Sequence, residues 1–496
     1  MYCMIIDLWE GDSQAVDERY AETDPFIWFD SPEDNVPESA ESKTRLNRTL
    51  VGFSALVLVA GLLAMAFHFA ARAENAESSE ESSNTGRAQT DAQVVENDDS
   101  LILADRALAE GNYDLAIAIY TQAADRRNPQ AMVDLGQIYS RGEGVEANDT
   151  IAMDYFAAAA ELGDANAMNI LGLGYYNGVG VEPDWRRSTR WFEEAAAAGN
   201  TNAMVNLGIL YSESGDQRQA LEWFEKAANL GNARGMGITG LAYQMGEGVD
   251  KNVEQAVKWF RAGADNGDVS SMHNLAVAYY SGYGIAQDYD KAVAWFRKAC
   301  EQGHGMSMFA LAEMYEQGLG MAQSHVDAFD LYARAADCGH VPAMHHVGMA
   351  YYQGKGVDQD PNLAMVWFKK AAEAGDRNSM YNLGVIYHRG DIVVRDNSAA
   401  IEWFHRAAEK DNVQAMYNLG LMYYNGFGAS ADLGKAAIWF ARAVERGNPD
   451  AMYSLGRMYE NGEGLTVNMD RAMQLYRKAA QLGNSGANTK LVSLLK

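Results

Sequence analysis

From Ser100 onward the apolar positions repeat with two nested periods. The long one is marked by methionine, which recurs at 132, 168, 204, 236, 272, 308, 344, 380, 416 and 452, always 36 residues apart except between 204 and 236, where the step is 32. A period of this size signals a stack of supersecondary units. The short one is helical. In residues 413–448, Ala415, Met416, Leu419, Gly420 and Tyr423 share one helix face. Gly426-Phe427-Gly428 ends that helix, as glycines do. Ala436, Trp439, Phe440 and Ala443 then line a second helix, which stops at Gly447-Asn448.

Each unit is thus predicted to be a pair of helices. The small residues, Gly420 and Ala443, allow close approach within the pair, and Tyr423, Trp439 and Phe440 are expected to fill the space between neighbouring units. The Trp-Phe pair recurs at 191/192, 223/224, 259/260, 295/296, 367/368, 403/404 and 439/440 and reads as core. Residues 100–128 read as a lead-in helix pair, residues 129–484 as ten repeats, and residues 485–496 as a closing helix, in keeping with the polar outer face that terminal repeats need.

Upstream the pattern changes. Thr49 to Ala71 is 23 residues without Lys, Arg, Asp or Glu, long enough at about 1.5 Å per residue to cross a bilayer core of about 30 Å. Lys43, Arg45 and Arg48 precede it, whereas Glu74, Glu77, Glu80 and Glu81 follow. The positive-inside rule then puts the N-terminus in the cytoplasm and the repeats outside. The competing reading is a cleaved signal peptide, against which stand the 48 residues that come first. Residues 1–48 read as an acidic disordered tail: positions 1–42 hold twelve acids and a single base, Arg19. Phe26, Ile27, Trp28 and Phe29 form an aromatic island there that reads either as a docking motif for a cytoplasmic partner or as a sticky patch. Residues 72–99 read as a flexible linker.

The net charge of −27 argues against a general nucleic-acid binder, which needs clustered Lys and Arg. Cys3, Cys300 and Cys338 are too few for a disulfide framework and lack metal-ligand spacing. Cys300 and Cys338 fall in successive repeats, where either free thiols or a bridge is open.

The repeat resembles the Sel-1-like repeat family, a relative of the tetratricopeptide repeat. Asp358, Ala364, Trp367, Phe368, Ala371, Ala372 and Gly375 carry the second half of that pattern. Two repeats depart from it: the third has Ser212-Glu213-Ser214-Gly215 in place of the G-x-G loop, and the eighth has Gly390-Asp391-Ile392 without the second glycine. The resemblance implies an all-α, right-handed superhelical solenoid whose first helices line the concave face, here preceded by one transmembrane helix. It also implies an adaptor that binds protein or peptide, needs no cofactor, and sits in a bacterial inner membrane with its repeats in the periplasm. A lumenal adaptor of endoplasmic reticulum protein degradation is the alternative home, and a cell-wall enzyme or wall binder the alternative class.

If the family's helix register transfers, positions one and two after each methionine, and position eight, face a groove. Asn274, His345, His346, Tyr352, Tyr381, Asn382, Tyr417, Asn418, Tyr424 and Tyr453 are the candidate lining. Regularly spaced Asn amides suit the backbone of an extended peptide, and Tyr offers broad contact at low entropy cost. The competing reading is that these side chains pack between repeats. The G-x-G loops lack the strand-turn-helix setting of a phosphate loop. The only Ser-x-x-Lys, Ser493 to Lys496, stands at the end of the sequence, so no catalytic or metal site is expected.

Overall fold

A computed structural model describes residues 91–494, with side chains from Ser100. The tail, the Thr49–Ala71 segment, the aromatic island at 26–29 and Cys3 lie outside the described residues. Among the described residues no helix is long and apolar enough to cross a membrane. All the regular structure in the described residues is helical: 23 helices. They fall into two compact units, residues 91–287 and 288–494. The lead-in helix, Asp91–Ala109, starts inside the stretch read as linker.

Each repeat has an A helix and a B helix of 13 residues, for example Val413–Asn425 and Leu433–Glu445. An Asn, Asp or His at each A-helix N-cap accepts a hydrogen bond from the backbone three residues on, as Asn412 does from Ala415. The B helices use the same device, with Asp432 accepting from Lys435. The odd 32-residue step now has a cause. The third repeat keeps both helices, Thr201–Glu213 and Gln217–Asn229, but joins them by three residues rather than seven.

Glycine sets the distance between the paired helices. A Cβ on Gly384 would stand 2.5 Å from the ring of Phe404, and one on Gly420 would overlap Phe440 in the same way. Phe368, Phe404 and Phe440 are accordingly buried inside their own repeats. That revises the expectation for Phe440, which fills the space within a repeat and not between repeats. Trp439 does meet the preceding repeat, edge-on to His405 at 5.0 Å. Most Trp rings are rim residues roofed by a cation, as Lys370 lies 4.1 Å from the Trp367 ring centroid.

The second loop glycine sets the distance between repeats. Gly428 lies in the left-handed region at φ 74, and a Cβ there would strike the backbone of Asn397, at the start of the preceding B helix. The eighth repeat cannot do this. Ile392 is not among the positive-φ residues. Ile392 and Val393 instead tuck partly against the core, and Val394 is left 91% exposed. At the C-terminal end, the helix Ser485–Leu494 closes the stack: Ala487 is buried, and Lys490 pairs with Glu460 at 2.9 Å.

Gly420→Leu is expected to cost about 1–3 kcal/mol of stability through overpacking, and Gly420→Ala less, because Ala312 fills the same place in another repeat. Urea denaturation followed by circular dichroism checks this. Adding Phe440→Ala to Gly420→Leu should recover part of the loss.

Candidate functional site

The A helices carry every candidate lining residue. In the helix Arg377–Arg389, residues 379–386 are all buried, so this helix is enclosed on every side rather than along one stripe. In the C-terminal half, residue one after the methionine packs at a tilt against the B-helix ring of its own repeat. Phe309 meets Tyr332 at 5.4 Å, His345 meets Phe368 at 5.8 Å, Tyr381 meets Phe404 at 5.7 Å, Tyr417 meets Phe440 at 5.8 Å, and Tyr453 meets Tyr476 at 5.8 Å.

Residue two joins one repeat to the one before. Asn418 Nδ2 donates to Tyr381 Oη at 3.3 Å, and Asn382 Nδ2 to Met349 Sδ at 3.5 Å. Tyr381 is 1% exposed, and Asn382 and Asn418 are 0%. These three side chains are packing between repeats and do not line an open groove. The Oδ1 atoms of both amides are buried and accept no hydrogen bond, a cost of about 1–3 kcal/mol each. His345 is buried too, with Nδ1 2.9 Å from Ser379 Oγ and 3.4 Å from Asp376 Oδ1. Asn274, in the other unit, and Tyr417 are buried as well and so do not line an open groove. Burial, with Asp450 second, pushes the Tyr417 phenol up to about 12.

Four candidates stay at the surface: His346, Tyr352, Tyr424 and Tyr453 are partly exposed. Tyr352 Oη donates to Asp391 at 3.1 Å and Tyr424 Oη to Glu463 at 2.7 Å, each in the loop of the next repeat. The hydroxyls thereby brace adjacent repeats while the ring faces remain available. The Glu463 hydrogen bond raises the Tyr424 phenol pKa, followed by burial. Burial and then Asp391 raise that of Tyr352 to about 12. Both phenols are therefore neutral donors at ordinary pH.

A further pattern had a readable signal. Where the B-helix aromatic is Tyr instead of Phe, its hydroxyl finds a carboxylate: Tyr332 reaches Glu316 at 3.0 Å, and Tyr476 reaches Glu460 at 2.7 Å. Glu316 and Glu460 occupy the position that is Tyr in Tyr352 and Tyr424. Glu313 was also legible as a lone acid in a slot held by Met349, Val385 and Leu421 in the next three repeats. It is buried, and its Oε2 accepts no hydrogen bond. Burial, helped by Glu316, lifts its carboxyl well above the usual range.

A small cleft opens between the repeats at 305–340 and 341–376, lined by Glu316, His325, Tyr332, His346 and Lys355 among others. It measures about 20 Å³, room for about one water and far below the roughly 300 Å³ at which small-molecule sites begin. Among the described residues no group of three or more His, Cys, Asp or Glu is placed to hold a metal. Cys300 and Cys338 are free thiols, the first buried and pushed up to about 12 by that burial.

The Sel1 repeat family profile matches residues 107–128, 129–164, 165–200, 201–232, 234–268, 269–304, 305–340, 341–376, 377–412, 413–448 and 449–484. The chain belongs to the Sel1 repeat family. The first of these eleven matches takes in the second helix of the lead-in pair, so that helix is itself part of a repeat. Among solved structures, a Sel1-type relative is c5321, a protective antigen present in uropathogenic Escherichia coli strains displaying an SLR fold. It shares 31% identity at a TM-score of 0.62, over 81% of this chain and 87% of that one. A Sel1 repeat protein from Oxalobacter formigenes shares 26% identity at a TM-score of 0.50, over 65% of this chain and 93% of its own. No curated protein sequence matches the chain. Sel1 repeat proteins are generally protein-interaction scaffolds, which makes the accessible A-helix side chains the first place to look for a partner.

Tyr381→Ala is expected to cost about 3–5 kcal/mol, as loss of a buried aromatic does, whereas Tyr453→Ala should cost under about 1 kcal/mol. Denaturation of the two variants decides whether the row divides into packing and surface members as described.

Proposed function

We propose that this Sel1 repeat protein is a membrane-anchored scaffold of the cell envelope that binds a protein or peptide on the A-helix face of residues 288–494. The observation that carries the reading is the set of partly exposed A-helix side chains His346, Tyr352, Tyr424 and Tyr453, of which Tyr352 and Tyr424 stand two repeats apart. Their rings offer broad contact, and the bonds from Tyr352 and Tyr424 to the next loop hold two of them in place before any partner arrives, which lowers the entropy cost of binding. The groove of the proposal is shallower than the sequence pattern suggests, because Tyr381, Asn382 and Asn418 are buried between repeats and do not line it.

The anchoring part rests on the charge-free stretch Thr49–Ala71 and the cations before it. On this reading the repeats face the periplasm and the acidic tail the cytoplasm, where Phe26, Ile27, Trp28 and Phe29 would meet a second partner. An enzyme or wall binder gains no support from the cleft beside His325 and His346, which has room for about one water.

The test is a photo-crosslinking residue at position 424, in the 496-residue chain and in its native membrane. One discrete protein adduct, lost on Tyr352→Ala, is expected. An adduct from position 370 on the B-helix face, with none from 424 or 453, would overturn the assignment of the binding face.

A further inference from the structure

Eight of the ten A helices are capped by Asn or Asp: Asn128, Asp164, Asn200, Asn232, Asp268, Asp376, Asn412 and Asn448. The remaining two, Gly305–Gln317 and Val341–Gln353, are consecutive and are capped by histidine. His304 Nδ1 accepts the Ser307 backbone N–H at 3.3 Å and lies 2.8 Å from Ser307 Oγ. His340 Nδ1 accepts the Ala343 backbone N–H at 3.3 Å. An imidazole serves as such a cap only while Nδ1 carries a lone pair, a condition that neither Asn nor Asp imposes at mildly acid pH.

The two caps belong to one histidine-rich cluster. Phe309 lies 4.7 Å from the His340 ring and 5.3 Å from that of His346. His346 stacks on Tyr332 at 4.7 Å and stands 5.8 Å from His345. Five of the chain's nine histidines fall between positions 304 and 346.

We propose that the joint formed by the repeats at 305–340 and 341–376 is an acid-labile latch: neutral His304 and His340 hold the N-termini of two consecutive A helices, and protonating them releases both caps and loosens these repeats from their neighbours. Protonated Nδ1 would present a donor to a donor. It would also place a cation at the positive end of a helix dipole. Burial disfavours the charge on His304, and burial, then His346, then His304, disfavours it on His340, so both are pushed down to about 4.

The sign follows from linkage. Each group is depressed from an unfolded value of about 6.5, so its stabilisation is complete above that pH. It is lost as pH falls toward about 4. Other groups at the joint act differently. His345 stands 3.4 Å from the Asp376 carboxylate. Glu313, raised by burial, loses stabilising effect as pH rises, the opposite sense. Arg334 and Asp337 stand on the intervening B helix, His325–Asp337, and Glu301 ends the B helix before it. All of these remain in place when only the two caps are changed.

The test compares the intact chain with His304→Asn/His340→Asn, which installs the cap used by Asn412 and Asn448. Hydrogen exchange is measured at pH 7.5 and pH 5 and divided by the intrinsic rate at each pH. At pH 5 the wild-type amides of 305–317 and 341–353 should lose protection by at least about tenfold relative to those of 413–425, and the variant should not show this excess. Equal loss in both proteins, or loss spread evenly over the repeats, would overturn the latch. Should the double variant fold poorly, His304→Asp/His340→Asp supplies the cap of Asp268 and Asp376 and is judged by the same ratio.

Discussion

The contact between an A-helix glycine and the B-helix ring fixes how near the two helices of a repeat lie. With no side chain at Gly384 or Gly420, the rings of Phe404 and Phe440 press directly on backbone. The B helix is drawn in, and the A helix is left exposed along its flanks. Those flanks are then covered by the B helix of the preceding repeat and, through side chains such as Asn418 and Tyr381, by the neighbouring A helices. Gly428 does for the stacking of repeats what Gly420 does within one: its left-handed turn lets the loop settle on the preceding B helix at Asn397. In most repeats two glycines thus set the two spacings of the array, and the residues around them adapt. In the eighth repeat the adaptation is visible as the rerouted Ile392-Val393-Val394 loop.

The same geometry decides what is left for a partner. Where neighbouring A helices meet, the side chains one and two places after Met380 and two places after Met416 become the material of the joint. Tyr381 and Asn418 touch each other inside it. Residues eight places on sit at the rim, where Tyr352 and Tyr424 reach the next loop and keep part of their rings in view. The scaffold reading therefore rests on rim residues. It also ties binding to repeat stacking, since the same hydroxyls that brace the repeats orient the exposed rings.

Much of this was legible in the sequence. The methionine period located ten of the eleven repeats, and the glycines at 426 and 447 located the ends of the two helices of residues 413–448 to within a residue or two. The 36-residue step needed only the loss of four loop residues to become 32. What periodicity leaves open is how wide an arc of a helix is buried. The pattern around Met416 shows one apolar face, yet Tyr417 and Asn418 on its flank are buried as well, because the neighbouring A helices supply walls that no single repeat contains. A polar residue there reads equally as lining or as joint, and only the stacking distance decides. His304 and His340 were hidden differently: they stand where Asn and Asp stand elsewhere, and the substitution changes the chemistry of a cap without disturbing the pattern around it. The domain limits upstream of Asp91 lie outside the described residues.

Hydroxyl-radical footprinting of the 496-residue chain, read residue by residue, tests the division between joint and rim most directly. Tyr381 and Tyr476 should be protected at neutral pH, while Tyr352 and Tyr424 react measurably and Trp185, which stands 67% exposed, reacts fastest. Tyr381 reacting as fast as Tyr424 would contradict the account, since the A helices could not then be packed as described.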